Sequence, residues 1–457
     1  MSLTSLSFIG IYFPLMLIAY YNPFFKDNIF RKIILVCASL GLYAFSEPMY
    51  ILLLMFMILY NYGLVKIADK TGNKIFRIIA IVLDALILLT FKYINVFLSF
   101  GLIGDTISEL AFPIGLSYFT FKAISYVADS STEKEGNIID VAIYISNFLT
   151  IVSGPLSTYA DELSYIRNKR TLPESKSFYR GLERLTIGLG KKVIIADSLG
   201  NLVSTCFASA ELSIVMAWAG AVGYTLQLFF DFSGYTDMAI GVGYLFGFDL
   251  PENFNYPYMA HSISDFWKRW HISLTKWFTK YIYFPLGGSR VKSSGRHIFN
   301  LFVVWLVTGI WHGSTMTFII WALIYFVLQL IEKYSSWENT LKKLHIGHFY
   351  TLFIVILEWV IFRSSSMPSA WLYIKAMFGL GDHKFLGSGD LDTILVYTIP
   401  LLSGIIFSTN IGARLGCRMK HGTYTNIIYN IAITALFMLC IILIIAKGYS
   451  APLYAGF

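Results

Sequence analysis

Charged side chains are scarce in this chain of 457 residues, since Asp, Glu, Lys and Arg together make up only 14% of it. Soluble domains carry about 25% charged residues, so this chain has too little polar surface to fold in water. Hydrophobic residues reach 56% and aromatic residues 17%, which excludes disordered, collagen-like and disulfide-scaffold proteins. The composition predicts an all-α polytopic membrane protein, with residues 1–457 forming a single domain embedded in the lipid bilayer.

Cysteine is rare as well, and the four cysteines form no CxxC pair and no Cys/His cluster with the spacing of metal ligands. We therefore expect no disulfide and no metal site. The sequence also lacks the GxSxG elbow of serine hydrolases, the HExxH motif of zinc proteases and the GxxxxGK[ST] loop that binds nucleotide phosphates. Any chemistry must then depend on histidine and other polar side chains.

Long apolar runs recur along the chain, and a spanning helix needs roughly 20 such residues. They predict about 11 transmembrane helices, with re-entrant or interfacial helices among them. The net charge of +8 is interpreted as basic cytoplasmic loops, not as a nucleic-acid site. The runs lie near 6–21, 33–46, 49–67, 77–93, 112–128, 140–159, 181–198, 213–230, 298–312, 314–332, 349–362, 391–408 and 425–446. The basic clusters are Lys66 to Arg77, Arg167/Lys169/Arg170, Arg180 to Lys192 and Lys268 to Arg296.

The segment 261–285 differs from these runs because it is too charged to face lipid. Its tryptophans, other aromatic residues and His271 recur at intervals of three and four residues, with most basic residues off that face. This pattern predicts one amphipathic helix that lies in an interface or lines a funnel, and that is broken by Pro285.

Two histidines are candidates for catalysis. His312 lies in an apolar run between Gly309 and Gly313, and an ionisable group at membrane depth is expected to face a cavity or a partner. A neutral imidazole suits general-base work on an alcohol. The alternative for His312 is a structural hydrogen bond across a helix pair. For His271 the alternative is an interfacial side chain with one wet face.

Polar residues between the apolar runs form a second candidate group. Asp231 and Asp237 flank a Gly-Tyr turn that also carries the hydroxyls of Ser233 and Tyr235. The group is either a capped helix start or the polar wall of a reaction chamber. Three further residues are assigned to that chamber: Asn253, Trp270 and Trp311. Acidic residues near other runs are expected to be ion-paired loop ends, namely Asp129, Asp140, Asp197 and Glu358.

Several sequence blocks occur in an order typical of one family. They include FPIGLSYFTFKAISYVAD, NFLTIVSGPLSTY, IGLGKKVIIAD, DFSGYTDMAIGVGYLFGFDLPENFNYPY, SDFWKRWHISLTKW, YIYFPLGGSR, GIWHG and the terminal APLYAGF. Together they resemble the membrane-bound O-acyltransferase (MBOAT) family, and within it the alginate O-acetyltransferase-like bacterial branch. The resemblance runs nearly end to end, with its core near 112–332.

The resemblance implies a ring of tilted helices around a central tunnel in the bacterial cytoplasmic membrane. The two active-site histidines of the family fall on His312 and His271. Acetyl-CoA would be the donor substrate, with no bound cofactor, and the acceptor would be hydroxyls of an extracytoplasmic polysaccharide. A secreted or membrane-anchored partner protein would relay the acetyl group. The CoA phosphates would be attracted by Lys268, Arg269 and Arg290, unless these residues only obey the positive-inside rule.

The sequence is also compatible with two other functions. The sibling branch, which transfers D-alanyl groups from a carrier protein to teichoic acid, shares the same blocks. A transporter without covalent chemistry would also place ionisable residues inside the membrane.

Overall fold

The structure is a computed structural model that describes residues 3–24, 28–99, 111–131, 136–167, 174–209, 211–448 and 453. All regular elements within these ranges are helices, as the composition predicts. Two sequence predictions lie outside the described residues. They are the basic pair Lys169/Arg170 and, apart from Leu453, the terminal block 451–457.

The chain begins with a π-helical turn, Phe8–Tyr12, and continues through ten α-helices up to residue 246. These are α1 (Phe13–Tyr20), α2 (Asn28–Ser46), α3 (Ile51–Thr71), α4 (Ile75–Ser99), α5 (Leu116–Asp129), α6 (Ile138–Ser146), α7 (Tyr159–Arg167), α8 (Ser175–Gly190), α9 (Asp197–Ala208) and α10 (Ile214–Phe246). A π-helical segment, Lys191–Ala196, joins α8 to α9.

The remaining described chain forms ten more α-helices. These are α11 (Ile263–Arg269), α12 (Ile272–Phe278), α13 (Ser294–His312), α14 (Met316–Tyr334), α15 (Trp337–Lys343), α16 (Gly347–Arg363), α17 (Met367–Met377), α18 (Asp390–Phe407), α19 (Ile411–His421) and α20 (Thr423–Lys447). A short 3-10 turn, Pro257–Met259, precedes α11, and a π-helical turn, Thr279–Tyr283, follows α12.

Six helices of the described chain are long and apolar enough to cross a bilayer, judged by length and composition: α2, α3, α10, α14, α18 and α20. With the shorter apolar helices they make this a multi-pass membrane protein. One predicted run is wrong as a span, because the helix that covers the start of 140–159 ends at Ser146 and turns follow it. Asn147 ends α6, and its side-chain oxygen accepts a hydrogen bond from the Leu149 N–H at 3.1 Å.

The chain divides into two compact units. The first comprises Met1–Leu185, Tyr235–Glu252 and Lys447–Phe457, and the second comprises Thr186–Gly234 and Asn253–Ala446. Both candidate histidines belong to the second unit. The single domain over 1–457 stays a prediction.

The first unit contains buried ion pairs. Lys122 is fully buried, and its Nζ lies 3.0 Å from Glu162 and 2.6 Å from the Thr150 hydroxyl. Asp140 pairs with Lys32 at 2.6 Å, so it is ion-paired as expected, although it lies in the first turn of α6 and not at a loop end. Because Lys122 and Asp140 each have a partner of opposite sign, burial does not leave these two charges uncompensated.

The second unit has an aromatic core. Helices α13 and α14 pack against each other, and α16 packs against α14. The fully buried indoles of Trp321 and Trp359 stack at 6.0 Å between ring centroids. Aromatic side chains therefore supply much of the apolar surface that holds these three helices together.

Within the second unit, α8 approaches α10 closely at Gly234. A methyl group added there would lie 2.7 Å from the carbonyl oxygen of Gly188. We expect Gly234→Ala to lower the free energy of unfolding by about 1–3 kcal/mol, because the backbone must move to admit it. Thermal unfolding of the detergent-solubilised protein checks this. Gly63→Ala in α3 is the matched control, since no atom lies within 4 Å of the added group.

Candidate active site

The segment predicted as one amphipathic helix is broken in its middle, so that prediction is wrong. Helix α11 ends at Arg269, α12 begins at Ile272, and Trp270 and His271 lie between them. His271 has φ 47°, in the left-handed region that costs a non-glycine residue about 1–2 kcal/mol. Such strain persists only where surrounding contacts enforce it.

Those contacts come from Asn253. Its Oδ1 lies 3.1 Å from His271 Nδ1, and it accepts hydrogen bonds from the Ser273 N–H at 3.2 Å and the Ser273 hydroxyl at 2.8 Å. Its carbonyl oxygen accepts from the Ile272 N–H at 3.0 Å. A backbone N–H can only donate, so the Asn253 atom facing Ser273 is the oxygen. His271 therefore donates from Nδ1, and Nε2 is the basic nitrogen of the neutral ring.

The His271 side chain is buried, not half wet as the interfacial alternative requires. It is 2% exposed, and the Phe232 ring lies against it at 4.7 Å. The residue lies outside the candidate spanning helices, and burial lowers its pKa from 6.5 to about 3. The imidazole is thus neutral at physiological pH.

Helix α11, which leads into Trp270 and His271, is anchored at its start by α14. The buried carboxylate of Glu332 accepts hydrogen bonds from the N–H groups of Ile263 at 2.7 Å and Ser264 at 2.9 Å. A carboxylate there satisfies the orphan donors at the helix N-terminus. Both ends of the segment that carries His271 are therefore fixed.

His312 is the last residue of α13 and is 5% exposed. Three aromatic rings surround it, with centroid distances of 4.4 Å to Trp311, 5.0 Å to Trp321 and 5.1 Å to Phe362. Gly309 allows α14 to approach, since an added methyl group there would lie 3.0 Å from the Phe318 carbonyl oxygen. The absence of a side chain at Gly309 therefore permits the close packing of α14 against α13.

The rings of His271 and His312 both lie next to the indole ring of Trp311. The Trp311 ring lies 4.4 Å from the His312 ring and 6.4 Å from the His271 ring, centroid to centroid. Trp270, which precedes His271, is 1% exposed and packs against Trp359 at 5.0 Å. The structure thus brings together His271, His312, Asn253, Trp270 and Trp311. The cluster offers basic nitrogen atoms in surroundings that exclude water.

The predicted polar wall is not a turn, because Asp231 to Asp237 lie inside the continuous helix α10. Asp231 and Ser233 are buried in the second unit, where Asp231 pairs with Lys192 at 2.6 Å. Tyr235 and Asp237 belong to the first unit, where Asp237 pairs with Arg184 at 2.7 Å. The capped helix start is wrong for the same reason.

Lys192 lies in the π-helical segment after α8 and forms ion pairs with two aspartates. Its Nζ also lies 2.7 Å from Asp197, which agrees with the expectation that Asp197 is ion-paired. We expect Lys192→Ala to cost about 3–5 kcal/mol of unfolding free energy, because it leaves the Asp231 charge buried and unpaired. Thermal unfolding measures the loss. The double variant Lys192→Met with Asp231→Leu, which removes both charges, should recover most of it.

The three basic residues assigned to CoA lie toward the surface of the second unit. Lys268 and Arg290 are exposed, and Arg269 is half-buried in an ion pair with Asp265 at 2.8 Å. Their role stays a prediction.

Several residues that shape the site were not predicted from the sequence. They are Phe232 and Ser273, which contact His271 or its partner, Glu332, which anchors α11, and Trp321 and Phe362, which pack on His312. Only the Asn-rich end of the DFSG to NYPY block hinted at the Asn253 contact. Phe232, Trp321 and Phe362 lie on apolar helices, where an aromatic residue carries no functional signal.

The chain is similar in sequence to known proteins along most of its length. A sequence model described as MBOAT, membrane-bound O-acyltransferase family, matches residues 51–366. The chain is 35% identical over 414 residues to the probable alginate O-acetylase AlgI of Pseudomonas aeruginosa, covering 86% of this chain and 78% of that protein. It is 33% identical to the peptidoglycan O-acetyltransferase of Helicobacter pylori, covering 82% and 79%. It is 29% identical to the teichoic acid D-alanyltransferase of Bacillus subtilis, covering 53% and 65%.

The matched range contains both candidate histidines and the helices that surround them. The resemblance drawn from the sequence blocks is confirmed, and the apolar helices agree with it. The chain belongs to the membrane-bound O-acyltransferase family and is a multi-pass membrane O-acyltransferase.

Proposed function

We propose that this protein transfers an acetyl group from acetyl-CoA toward hydroxyls of an extracytoplasmic polysaccharide. The observation that carries the proposal is the burial of His271 and His312 on either side of Trp311. Two imidazoles in a water-poor aromatic cluster suit acyl transfer, because water would hydrolyse the donor.

His312 is the general base of the proposed reaction. It takes the proton from the acceptor hydroxyl while that oxygen attacks the thioester carbonyl carbon. The tetrahedral intermediate collapses, the carbon–sulfur bond breaks, and the proton passes from the imidazolium to the departing thiolate. His312 is the last residue of α13, and the negative end of the helix dipole favours the imidazolium formed during the transfer.

His271 supports the same step through Nε2. This nitrogen accepts a hydrogen bond from the acceptor hydroxyl and orients that group toward the thioester carbonyl. In this proposal Trp270 and Trp311, both buried, supply apolar walls for the reacting groups. The exposed charges of Lys268 and Arg290 attract the CoA phosphates, with Arg269 as a weaker contributor because Asp265 already pairs with it.

The acceptor class follows from the names of the relatives. One relative is named a probable alginate O-acetylase and the other a peptidoglycan O-acetyltransferase, so both names specify O-acetylation of a polymer that contains sugars. CoA is cytoplasmic, so the acetyl group must cross the membrane to reach such a polymer. A secreted or membrane-anchored partner that relays the acetyl group to the polymer completes the proposal.

The test is turnover by the purified protein in detergent or nanodiscs. We expect free CoA thiol to appear when acetyl-CoA is mixed with a polysaccharide acceptor and membrane extract that supplies a relay partner. Thiol release that requires both the protein and the acceptor supports the proposal. Movement of acetyl-CoA or polymer without thiol release would instead indicate a transporter.

D-alanyl transfer to teichoic acid is the second candidate, supported by the 29% identity to a teichoic acid D-alanyltransferase. That match covers 53% of this chain, against 86% for the alginate relative, so acetyl transfer is preferred. Parallel assays with acetyl-CoA and with a D-alanyl-charged carrier protein separate the two. Turnover with the charged carrier alone would overturn acetyl transfer.

A further inference from the structure

Glu358 is the acidic residue whose setting differs most from the sequence expectation. It was expected to be an ion-paired loop end, but it lies inside α16 and is 4% exposed. Its Oε2 atom has no hydrogen-bond partner among the described residues, and none of them forms an ion pair with it. A buried carboxyl group is costly without such a partner, so this one points to a ligand.

A second buried polar group faces the same region. Tyr325 on α14 is fully buried, and its hydroxyl has no hydrogen-bond partner in the described part of the chain. The Glu358 carboxyl lies close enough to interact electrostatically with the Tyr325 hydroxyl. One group can donate a hydrogen bond and the other can accept one.

Helix register relates this pair to His312. On α14, Tyr325 lies four residues after Trp321, and on α16, Glu358 lies four residues before Phe362. Trp321 and Phe362 both pack on the His312 ring. Residues four apart share a helix face and are about 6 Å apart along the axis. The Tyr325–Glu358 pair therefore lies one helical turn from His312.

The contacts of α14 also show in which direction along the helix the Tyr325–Glu358 pair is displaced from His312. Tyr325 lies between Trp321 and Tyr334, and the Tyr334 hydroxyl hydrogen-bonds His297 near the start of α13 at 2.7 Å. The pair is thus displaced from His312 toward the start of α13, which carries Arg296 and is preceded by Arg290. The positive-inside rule assigns that basic end to the cytoplasm, the side from which a CoA thioester enters.

We propose that Tyr325 and Glu358 form a binding site for an amide group in the arm of the acyl thioester. The Tyr325 hydroxyl donates to the amide carbonyl, and the Glu358 carboxyl accepts from the amide N–H. The arm that bears the thioester sulfur in both CoA and a charged carrier contains such amides. The inference rests on the proposed function and deepens it, since it identifies residues that bind the donor.

The test measures KM and kcat with acetyl-CoA for Tyr325→Phe and Glu358→Gln. Loss of one hydrogen bond raises KM about 3- to 10-fold for Tyr325→Phe, and replacement of the carboxyl by an amide of different hydrogen-bonding pattern raises it by a similar factor for Glu358→Gln. In both variants kcat changes less than about twofold, because the interaction forms equally in the ground state and the transition state.

Tyr373→Phe is the matched control, since that buried tyrosine already donates to the Ala217 carbonyl oxygen at 3.0 Å and should leave KM unchanged. A truncated donor, the acetyl thioester of ethanethiol, has no amide, so the wild type and Tyr325→Phe should use it equally well. The same measurements are repeated with a D-alanyl-charged carrier in place of acetyl-CoA as the donor.

Three results would overturn this inference while the wild type still turns over. They are an unchanged KM in both variants, a loss confined to kcat, and a higher KM for the polysaccharide alone. Absence of wild-type turnover with either donor overturns the proposed function instead. Thermal unfolding of each variant shows that the fold is retained, and a variant that unfolds is replaced by Tyr325→Leu or Glu358→Leu in the same assay.

Discussion

His312→Ala is expected to lower kcat for acetyl transfer by about 10²- to 10⁴-fold, the usual contribution of a positioned general base. The ring lies between Trp311, Trp321 and Phe362, so the substitution also leaves a cavity. His312→Gln fills most of that space but cannot take up a proton. If the effect is chemical, the two variants lose activity alike, although alanine costs more thermal stability.

The measurement is acetyl-CoA turnover in membranes that contain equal amounts of each variant. His297→Gln is the control, because His297 lies on the same helix, is equally well buried and hydrogen-bonds Tyr283 and Tyr334 at 2.9 and 2.7 Å. It should keep most of the activity. If His312→Gln kept more than about a tenth of wild-type kcat, the base would have to be another group.

The position of His312 could be predicted from the sequence because the membrane restricts what an apolar run contains. An imidazole in such a run is expected to face a cavity or a polar partner. This expectation follows from the sequence without knowledge of the tertiary structure. The same argument found the other apolar helices. It overestimated the run at 140–159, since hydropathy measures apolar content and does not detect a helix end such as Asn147.

The break at Trp270–His271 could not be predicted in the same way. The aromatic spacing of 261–285 favours one helix, and local pattern alone gives no reason to stop. The break depends on hydrogen bonds that the oxygen atoms of Asn253, 18 residues before His271, accept from His271 and its neighbours. A helix periodicity was thus overridden by tertiary contacts at the point where the site residue lies.

The partners of the acidic residues could not be predicted from the sequence either. The spacing of Asp231 and Asp237 predicted that they flank a turn. In the structure both lie in one helix, α10, and each forms an ion pair with a different basic residue. Glu358 looked like the other acids near apolar runs, and only its burial without a described partner distinguishes it. Ion-pair partners come from other helices, so they become visible only in three dimensions.

Asn253 is expected to control catalysis without contacting the substrate. Its Oδ1 fixes the proton of His271 on Nδ1 and keeps Nε2 basic, and its carbonyl helps to hold the left-handed backbone at His271. Asn253→Leu removes the side-chain acceptor. We expect kcat to fall between about 10²- and 10⁴-fold, because the ring loses its tautomer and its orientation. Ser273→Ala, which removes one donor and leaves the His271 contact, should stay near wild type.

Asn253→Asp separates orientation from simple packing. The Asn253 amide nitrogen has no hydrogen-bond partner in the described chain, so a carboxylate oxygen can replace it without loss of a bond, and Oδ1 keeps its three donors. The new negative charge raises the pKa of His271 from its wild-type value of about 3. Protonation then blocks Nε2 at a higher pH. The pH profile of kcat should therefore fall off on its acidic side at a higher pH in Asn253→Asp than in the wild type, while activity at alkaline pH is retained. An identical profile, together with normal turnover by Asn253→Leu, would mean that Asn253 serves only the fold.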